Sequence, residues 1–403
     1  MCQPHRQTPG MGGRFAASLG PLGMVGGAAQ APPTDDFWRR GGSTVQAHAK
    51  RRPSRNESSH IPYPADAGSH TMTLVQEPRL ASAQGGLERQ LEQHRSELTG
   101  YCYRMLGSPF EAEDAVQDTY LRAWRGFDRF EGRAAVRSWL YRIATNVCLD
   151  MLSGRSKRAR PMDFGPAQEP VESSLNMLPE VTWIEPIPTS LVSGDSDPAE
   201  LAVQRDTIRL AFVAALQHLP ARQRAVLILC EVLRWKASEV AELLDTSVAS
   251  VNSALQRARA TLEERDIEAT DAVAPMDQGQ QELLARYVDA FQRYDIDELT
   301  LLLREDASQS MPPYDMWLSG RDDVFAWWFG PGIGCKDSRV LPVETANGSV
   351  AFGQYKPSES GNGYDPWALQ VLEIADGKIV ELTFFLSTER LFPLFGLPPR
   401  LES

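Results

Sequence analysis

Polar and basic side chains recur along one face of the segment from Ser247 to Leu262, and their types suit contact with a nucleic acid. They are Ser247, Ser250, Asn252, Ser253, Gln256, Arg257 and Arg259. Hydroxyl, amide and guanidinium groups exchange hydrogen bonds with phosphates and with the base edges of a major groove. The other face carries Val248, Val251, Leu255, Ala258 and Leu262 at three- and four-residue steps. That spacing predicts an amphipathic helix.

A second short helix is predicted just before this one. Val240, Ala241 and Leu244 fall on one face, and the small Ala241 lets two helices cross closely. Ser247 is a good N-cap residue, because its hydroxyl accepts a bond from an unpaired amide of the first turn. The pattern is typical of a helix-turn-helix whose second helix enters the major groove. The alternative is a surface helix pair in another kind of helical bundle.

Aromatic and cationic residues alternate upstream, where the set is Phe130, Arg133, Arg137, Trp139, Tyr141 and Arg142. Residues 133–160 contain seven Arg or Lys against one Asp, a local charge of +6. Exposed bases stack on aromatic rings for ~1–3 kcal/mol each while cations follow the phosphates, so the pattern suits single-stranded DNA. The competing interpretation is that the rings belong to the core and the arginines to a solvated face.

Composition limits the remaining options. The chain has 403 residues and is 42% hydrophobic, enough for two to four domains. Its net charge is −12, so any DNA contact must rest on locally basic faces. The five cysteines are scattered without metal-ligand spacing, which favours a reducing cytoplasm, and no metal or cofactor is predicted. No apolar run reaches the ~18 residues of a membrane span.

The domain organisation follows from shifts in composition. Residues 1–85 are rich in Gly, Ala, Pro, Ser and Gln and are predicted to be disordered, with Met72 as the expected natural start. Residues 86–160 are predicted to be helical, with helices over Leu87–Leu106, Ala112–Phe127 and Val136–Leu152. A linker (161–200), the helix-turn-helix unit (201–266), a second linker (267–277) and a C-terminal unit (278–403) follow.

The first linker is strongly acidic. Residues 161–200 contain eight Asp or Glu, no Lys or Arg and seven prolines, so the segment is predicted to be extended and to bury no core. Its more apolar stretch from Val181 to Pro188 either docks onto a folded partner, such as the C-terminal unit, or is incidental.

The C-terminal unit mixes helices and strands. Helices are predicted over Gln280–Arg293, near Asp297–Leu303 and over Arg321–Phe329, and strands over Arg339–Thr345, Ser349–Tyr355, Trp367–Ile374 and Ile379–Phe385. Asp376-Gly377 is predicted to form a hairpin turn. This unit has 19 Asp or Glu against 10 Lys or Arg, so it is not expected to bind DNA strongly.

Three segments together resemble a bacterial RNA polymerase sigma factor of the extracytoplasmic-function (ECF) class. They are EAEDAVQDTYLRAW, RSWLYRIATNVCLD and LPARQRAVLILCEV with ASEVAELLDTSVASVNSALQRARATL, in the family's order. The resemblance covers 87–160 and 200–265. It implies two all-α domains, sigma domain two and sigma domain four with its helix-turn-helix. It also implies two partners, RNA polymerase core through its β and β′ subunits and promoter DNA.

The resemblance assigns roles to particular residues. Core polymerase would bind Asp114, Gln117, Asp118, Leu121 and Trp124. The −10 element would be melted and read by Phe130, Arg133, Arg137, Ser138, Trp139, Tyr141, Arg142 and Asn146. The −35 element would be read by the Ser247–Arg259 residues named above. Asp245 stands where many members have Gly, and Asp tolerates the left-handed conformation.

The C-terminal unit resembles a SnoaL-like α+β cone. A candidate pocket for an unknown small ligand would be lined by Met311, Trp317, Trp327, Trp328, Phe352, Tyr355, Trp367 and Phe384; these residues equally suit a plain core. Some SnoaL-like proteins are enzymes, but this unit has no histidine, so no catalytic residue is predicted and a regulatory role in cis is favoured. The alternative function is a small-molecule enzyme with a DNA-binding regulatory module.

Overall fold

Three helices form the first helical domain: α1 (Arg95–Leu106), α2 (Pro109–Gly126) and α3 (Val136–Leu152). The computed structural model describes residues 88–127, 130, 135–193, 207–263 and 278–402. α3 has the bounds predicted for it. α2 begins a turn before the predicted Ala112, because Ser108 caps it and Pro109 stands in its first turn, where a missing N–H is tolerated. The predicted Leu87–Leu106 helix is broken at His94.

The second helical domain contains the predicted helix-turn-helix. α4 (Leu210–Gln217) and α5 (Ala221–Leu227) lead through a π-helical turn to α6 (Ala237–Leu243) and α7 (Val248–Glu263). Asp245 adopts the left-handed conformation with φ 51°, as predicted for the turn. The amide of Ser250 donates to Ser247 Oγ at 3.1 Å, which confirms the cap. Val248 is exposed rather than part of the buried apolar stripe.

The C-terminal domain is built on a six-stranded mixed sheet with the order β2-β1-β6-β5-β4-β3. The strands are β1 (Leu303–Ser310), β2 (Trp317–Ser319), β3 (Arg339–Pro342), β4 (Val350–Pro357), β5 (Tyr364–Ala375) and β6 (Lys378–Phe385). The helices are α8 (Gln278–Arg293), α9 (Ile296–Leu302), α10 (Arg321–Phe329) and α11 (Thr388–Leu394). β1 pairs in parallel with β6, and the other neighbouring strands are antiparallel.

Four of these strands match predicted ones, and two do not. β3 to β6 lie within a few residues of their predicted positions, and Asp376-Gly377 forms the predicted turn with φ 52° and 68°. β1 was missed because its sequence LREDASQS carries charged residues where an apolar alternation would signal a strand. α11 was also missed.

The sheet buries both of its faces, and alternate residues of a strand serve different cores. On the inner face, Phe352, Leu372 and Phe384 pack with α8 and α10 in a core of the C-terminal domain alone. On the outer face, buried residues continue the core of both helical domains. Those residues are Ala351, Tyr355, Leu369, Val371 and Phe385. The described residues therefore belong to one compact unit, Thr73–Ser403.

The connecting segment (161–193) differs from its prediction. It forms short 3-10 turns, and Trp183, Ile184 and Ile187 are each no more than 3% exposed. The prediction that it buries no core is therefore wrong. A few apolar side chains are enough to order the segment, because the helical domains and the outer face of the sheet supply the rest of the core. Of the two interpretations of Val181–Pro188, the structure supports docking onto the C-terminal domain, since Pro188 bridges to Ala346 and the amide of Ile187 donates to Asn347 Oδ1 at 2.9 Å.

Candidate nucleic-acid interface

The α2 face is open to solvent. It consists of Asp114, Gln117, Asp118, Leu121 and Trp124, which recur at three- and four-residue steps. Leu121 is 54% exposed and Trp124 is 41% exposed, although both are large apolar residues. Arg122 joins this face to α3, because its guanidinium reaches Asp118 at 3.0 Å and Asp150 at 3.1 Å. Apolar side chains held outward between charges suit a protein partner.

The recognition-helix face of α7 is also open. Ser247, Ser250, Asn252, Gln256, Arg257 and Arg259 are exposed, and Ser253 is half-buried. Val251 and Ala258 anchor the helix through the opposite face, being 1% and 0% exposed. Arg257 donates to Ser253 Oγ at 2.7 Å, and Arg259 pairs with Glu231. These surface contacts leave the donors and acceptors oriented outward, where a DNA duplex could reach them.

The α3 surface, by contrast, is an aromatic and cationic cluster that is only partly accessible. Phe130 packs on Trp139 with ring centroids 4.8 Å apart. Tyr141 is fully buried against Tyr101, and burial raises its pKa above the ordinary tyrosine value. Arg137 holds its position through Glu97, at 2.8 Å. Of the other predicted residues, Ser138 is half-buried, Asn146 is exposed, and Arg133 lies outside the described residues.

The second helical domain covers this α3 surface. Trp235, from the turn before α6, meets the edge of Tyr141 at 5.1 Å and lies under the guanidinium of Arg137 at 5.3 Å. Arg142 donates to the carbonyl of Glu242 at 2.7 Å. Trp235 therefore occupies part of the aromatic and cationic surface of α3. Neither Trp235 nor Glu242 was predicted, because nothing in the local sequence shows which surface they meet.

Buried arginines join the two helical domains more deeply. Arg224 of α5 donates to the carbonyl of Met105 at the end of α1, and Arg104 donates to the carbonyl of Thr207 at 3.0 Å. Burial lowers the pKa of each guanidinium to about 10. Both groups donate to carbonyl or hydroxyl oxygens, and the buried Nε of Arg224 has no hydrogen-bond partner among the described residues.

Asn347 is the residue where all parts meet. It stands in the turn between β3 and β4 and is fully buried. Its side-chain amide donates to Tyr103 Oη at 2.7 Å and to the carbonyl of Ile208 at 2.5 Å. Its Oδ1 accepts from the amide of Ile187. One side chain thus links the first helical domain, the connecting segment and the start of the second helical domain.

Arg390 of α11 fixes the C-terminal domain from another side. Its guanidinium contacts Glu180 at 2.8 Å and Glu185 at 3.4 Å, both in the connecting segment. It also lies 3.9 Å from the ring centroid of Phe110 in α2. Ser108 donates to the same Glu185 carboxylate. Burial raises the pKa of Glu185, with the neighbouring hydrogen bond and arginines acting against it.

Two carboxylates on the outer face of the sheet meet two arginines. Glu373 of β5 and Glu381 of β6 stand directly opposite each other in the register. Arg209 pairs with Glu373 at 2.5 Å, and Arg160 lies 3.7 Å from Glu381. Burial raises the pKa of Glu381, the cation of Arg160 opposes this, and the nearby Glu373 adds to it. The predicted sites gave no sign of this cluster.

The candidate pocket residues divide between several environments. Met311, Trp327, Trp328, Phe352 and Phe384 are buried in the inner core, where the rings of Trp328 and Phe384 are 6.4 Å apart. Trp367 packs at the edge of that core, under the ammonium of Lys356 at 4.0 Å. Two residues do not belong to the set. Tyr355 lies on the outer face against Phe392, and Trp317 donates from Nε1 to the carbonyl of Gly165 at 2.9 Å.

Metal ligation and membrane insertion are two further properties that the described residues bear on. No group of His, Cys, Asp and Glu among them is arranged to hold a metal ion. Within the same ranges, no helix has both the length and the apolar character needed to span a bilayer.

Two helical domains, the second with a helix-turn-helix, thus carry two exposed faces and one aromatic and cationic surface, an arrangement that suits a DNA-binding protein with a protein partner. A model of Sigma-70 region 2 matches residues 91–158, one of Sigma-70 region 4 matches 209–262, and one of a SnoaL-like domain matches 284–382. The chain is 42% identical over 320 residues to the ECF RNA polymerase sigma factor SigG of Mycobacterium tuberculosis, covering 79% of this chain and 85% of SigG.

SigJ of Mycobacterium tuberculosis is 27% identical over 311 residues, covering 73% of this chain and 89% of SigJ. Its crystal structure matches with a TM-score of 0.50 at 21% identity, over 78% of this chain and all of that one, which shows a shared fold. The chain belongs to the ECF RNA polymerase sigma factors. It is a promoter-specificity factor for transcription initiation, and its C-terminal domain is SnoaL-like.

Proposed function

We propose that this sigma factor is stored in a closed form, in which the second helical domain covers the α3 surface, and that its C-terminal domain stabilises that form in cis. The observation that carries the proposal is the position of Trp235 and Glu242 on Arg137, Tyr141 and Arg142. These three residues belong to the set predicted to read the −10 element. Promoter DNA and the second helical domain therefore compete for one surface, and opening must precede promoter melting.

The three predicted interfaces have different accessibility in this form. We infer that the α2 face binds the β′ subunit of core polymerase and that the recognition-helix face of α7 reads the −35 element. Both are exposed, so neither requires the chain to open first. The α3 surface, which would capture the −10 bases, becomes accessible only after the chain has opened. Each captured base costs a few kcal/mol of unstacking, offset by ring stacking and by phosphate contacts.

The C-terminal domain acts, in this proposal, as a clamp rather than as a catalyst. Its inner polar groups bond to one another: Tyr287 donates to Gln370, Gln370 to Gln354 and Gln354 to Ser338, at 3.0, 2.8 and 3.0 Å. Trp328 donates to Gln309 at 2.5 Å. A catalytic site or a ligand would need such groups turned toward a substrate. Its outer face instead supplies apolar surface to the shared core.

Run-off transcription with reconstituted core polymerase tests the proposal. The full chain, a chain ending at 277 and the full-length Arg390→Ala variant should all bind core polymerase. The latter two should give more transcript, because the clamp is removed or weakened. Arg400→Ala is the matched control, since the partners of this arginine among the described residues lie in the C-terminal domain, Ser358 and Ser360 among them. Equal transcript from all four proteins would contradict regulation in cis.

A further inference from the structure

The turn between β3 and β4 contains the pair Asn347-Gly348, and an Asn-Gly pair can undergo deamidation. Asn347 and Gly348 both have positive φ, 54° and 79°, as in the turn of a tight hairpin. In an Asn-Gly pair the backbone nitrogen of the glycine can attack the asparagine side-chain carbonyl carbon, because glycine has no side chain to hinder the approach. Asparagine is accordingly one of the thermally labile residues of proteins.

We propose that Asn347 is a hydrolytic modification site that reacts only when the closed form opens. The Gly348 nitrogen forms a bond to Asn347 Cγ, the C–N bond of the carboxamide breaks, and ammonia leaves with the displaced proton. Water then opens the cyclic imide to give aspartate or isoaspartate. The net reaction consumes one water and releases one ammonia, so it needs no other reactant. This inference rests on the proposed function, because it assumes that the chain opens.

In the closed form, hydrogen bonds hold both the Gly348 amide and the Asn347 carboxamide in positions that prevent this reaction. The Gly348 amide donates to Thr189 Oγ1 at 2.9 Å within the buried junction. The Asn347 carboxamide is fixed at both ends, by Tyr103 and Ile208 on its nitrogen and by Ile187 on its oxygen. The backbone amide of Asn347 also donates to the carbonyl of Ile187, at 3.0 Å. Attack would have to break several of these bonds at once, so the junction protects the pair.

The product would not fit the junction it came from. A carboxylate only accepts hydrogen bonds, whereas the Asn347 nitrogen donates twice. The carbonyl of Ile208 would face a negative charge. The hydroxyl of Tyr103 cannot turn to help without cost, because it already donates to the carbonyl of Glu185 at 2.8 Å. Isoaspartate would in addition lengthen the backbone of the turn. Modification therefore favours the open form, and a chain that has opened for long enough no longer closes.

The chain carries its own reference for this reaction. Asn362-Gly363 is a second Asn-Gly pair in the same domain, in the loop between β4 and β5. Asn362 is exposed, and Gly363 has φ 73°, close to that of Gly348. The loop lies away from the junction, so the opening of the chain should not alter its rate. The ratio of the two rates in one sample thus cancels the effects of buffer and temperature.

The first experiment follows both peptides by mass spectrometry during incubation of the full chain, alone and in a promoter complex with core polymerase. In the protein alone, Asn347 should react ~10-fold or more slowly than Asn362, because only the open fraction can react. In the promoter complex the two rates should converge. Equal rates in the protein alone, or unchanged protection in the complex, would overturn the inference. Failure to form the complex would instead count against the proposed function, while the rates in the protein alone still test the site.

The second experiment tests the consequence in the full-length chain. Asn347→Asp should shift the balance toward the open form by ~10-fold or more, since it leaves a buried acceptor unpaired. Protease cleavage of the connecting segment and run-off transcription should both rise. Asn362→Asp is the matched control and should change neither. If Asn347→Asp folds and remains as protease-resistant and as inactive as Asn362→Asp, the junction does not sense the modification, and the proposed consequence is wrong.

Discussion

Trp235 illustrates what a single residue can and cannot reveal before the fold is known. Its sequence neighbours, Arg234 and Lys236, suggest a loop, and Arg234 does adopt φ 59°. The contact with Arg137 and Tyr141 joins residues almost a hundred positions apart, and no local pattern encodes it. The exposed polar face of α7, in contrast, could be predicted from the sequence, because a helical period places its residues together without reference to any partner.

Trp235→Ala should loosen the cover on the α3 surface. The lost edge-to-face and cation–π contacts are worth ~1–2 kcal/mol together, which corresponds to a shift toward the open form of up to ~30-fold. Open-complex formation at a cognate promoter should become faster, as measured by permanganate footprinting. Trp124→Ala is the contrasting variant, because Trp124 lies on the exposed α2 face. It should weaken binding to core polymerase and leave the closed form intact. Identical behaviour of the two variants would contradict the separate roles.

Two residues of the recognition helix should separate base reading from phosphate contact. Asn252→Ala should cost ~1–3 kcal/mol at one base pair and relax specificity there, because an amide can bond a base edge at two points. Arg257→Ala should weaken binding to all sequences alike and reduce the salt dependence by about one phosphate contact. Affinities of the holoenzyme for −35 variants across a salt series measure both effects. A base-specific loss from the arginine variant would reverse the assignment.

At the scale of elements, periodicity predicted the helices and strands that bury one apolar face. It missed the elements whose burial depends on packing from both sides. α3 and the helix-turn-helix follow from apolar steps of three and four residues, and the last β-hairpin follows from alternation and Asp376-Gly377. β1 was not predictable, because it is paired on both sides within the sheet while its residues 304–306 are all charged. The connecting segment was misjudged for a similar reason. Its composition is that of a disordered chain, but three of its apolar side chains are buried in cores formed by other elements.

Ile187 should be the residue on which the order of the connecting segment depends most. It is fully buried, so Ile187→Ala should cost ~2–4 kcal/mol through the cavity left behind. Limited proteolysis between 161 and 193, read by mass spectrometry, should show faster cleavage. Val181→Ala is the matched control, because Val181 belongs to the same segment but is 65% exposed. Similar cleavage of both variants would show that the segment is not held by its buried residues.

At the scale of the molecule, opposite charges meet where the domains pack against one another. The first helical domain ends in a basic stretch, while the connecting segment and the C-terminal domain are acidic. The net charge of −12 is therefore compatible with a basic surface on the first helical domain, which is complementary in charge to the acidic connecting segment and C-terminal domain. Arg160 and Arg209 meet Glu381 and Glu373 at this boundary. The sequence shows the unequal distribution of charge but not these pairs, because the register of β5 and β6 alone places the two carboxylates opposite each other.

We expect this boundary to make the closed form sensitive to pH, with a sign that follows from the raised pKa of Glu381. The groups facing it are Arg160, Glu373 and Arg209. In the closed form the carboxyl holds its proton to higher pH than a solvated glutamate, whose pKa is ~4.3. Between pH ~4.3 and the raised pKa of Glu381, the closed form therefore binds more protons than the open form. Its stability relative to the open form is greatest at the acidic end of that range and falls as pH rises through the raised pKa.

Protease cleavage of the connecting segment should accordingly increase with pH across this range, and salt should increase it further by screening the arginine–glutamate pairs. Glu381→Gln keeps the side chain neutral, as if protonated, so cleavage of this variant should depend less on pH and stay near the slow, acidic limit. Glu389→Gln is the control, because Glu389 is exposed and should leave the pH profile unchanged. A wild-type profile that falls with pH, or a Glu381→Gln profile identical to it, would show that this carboxyl does not govern opening.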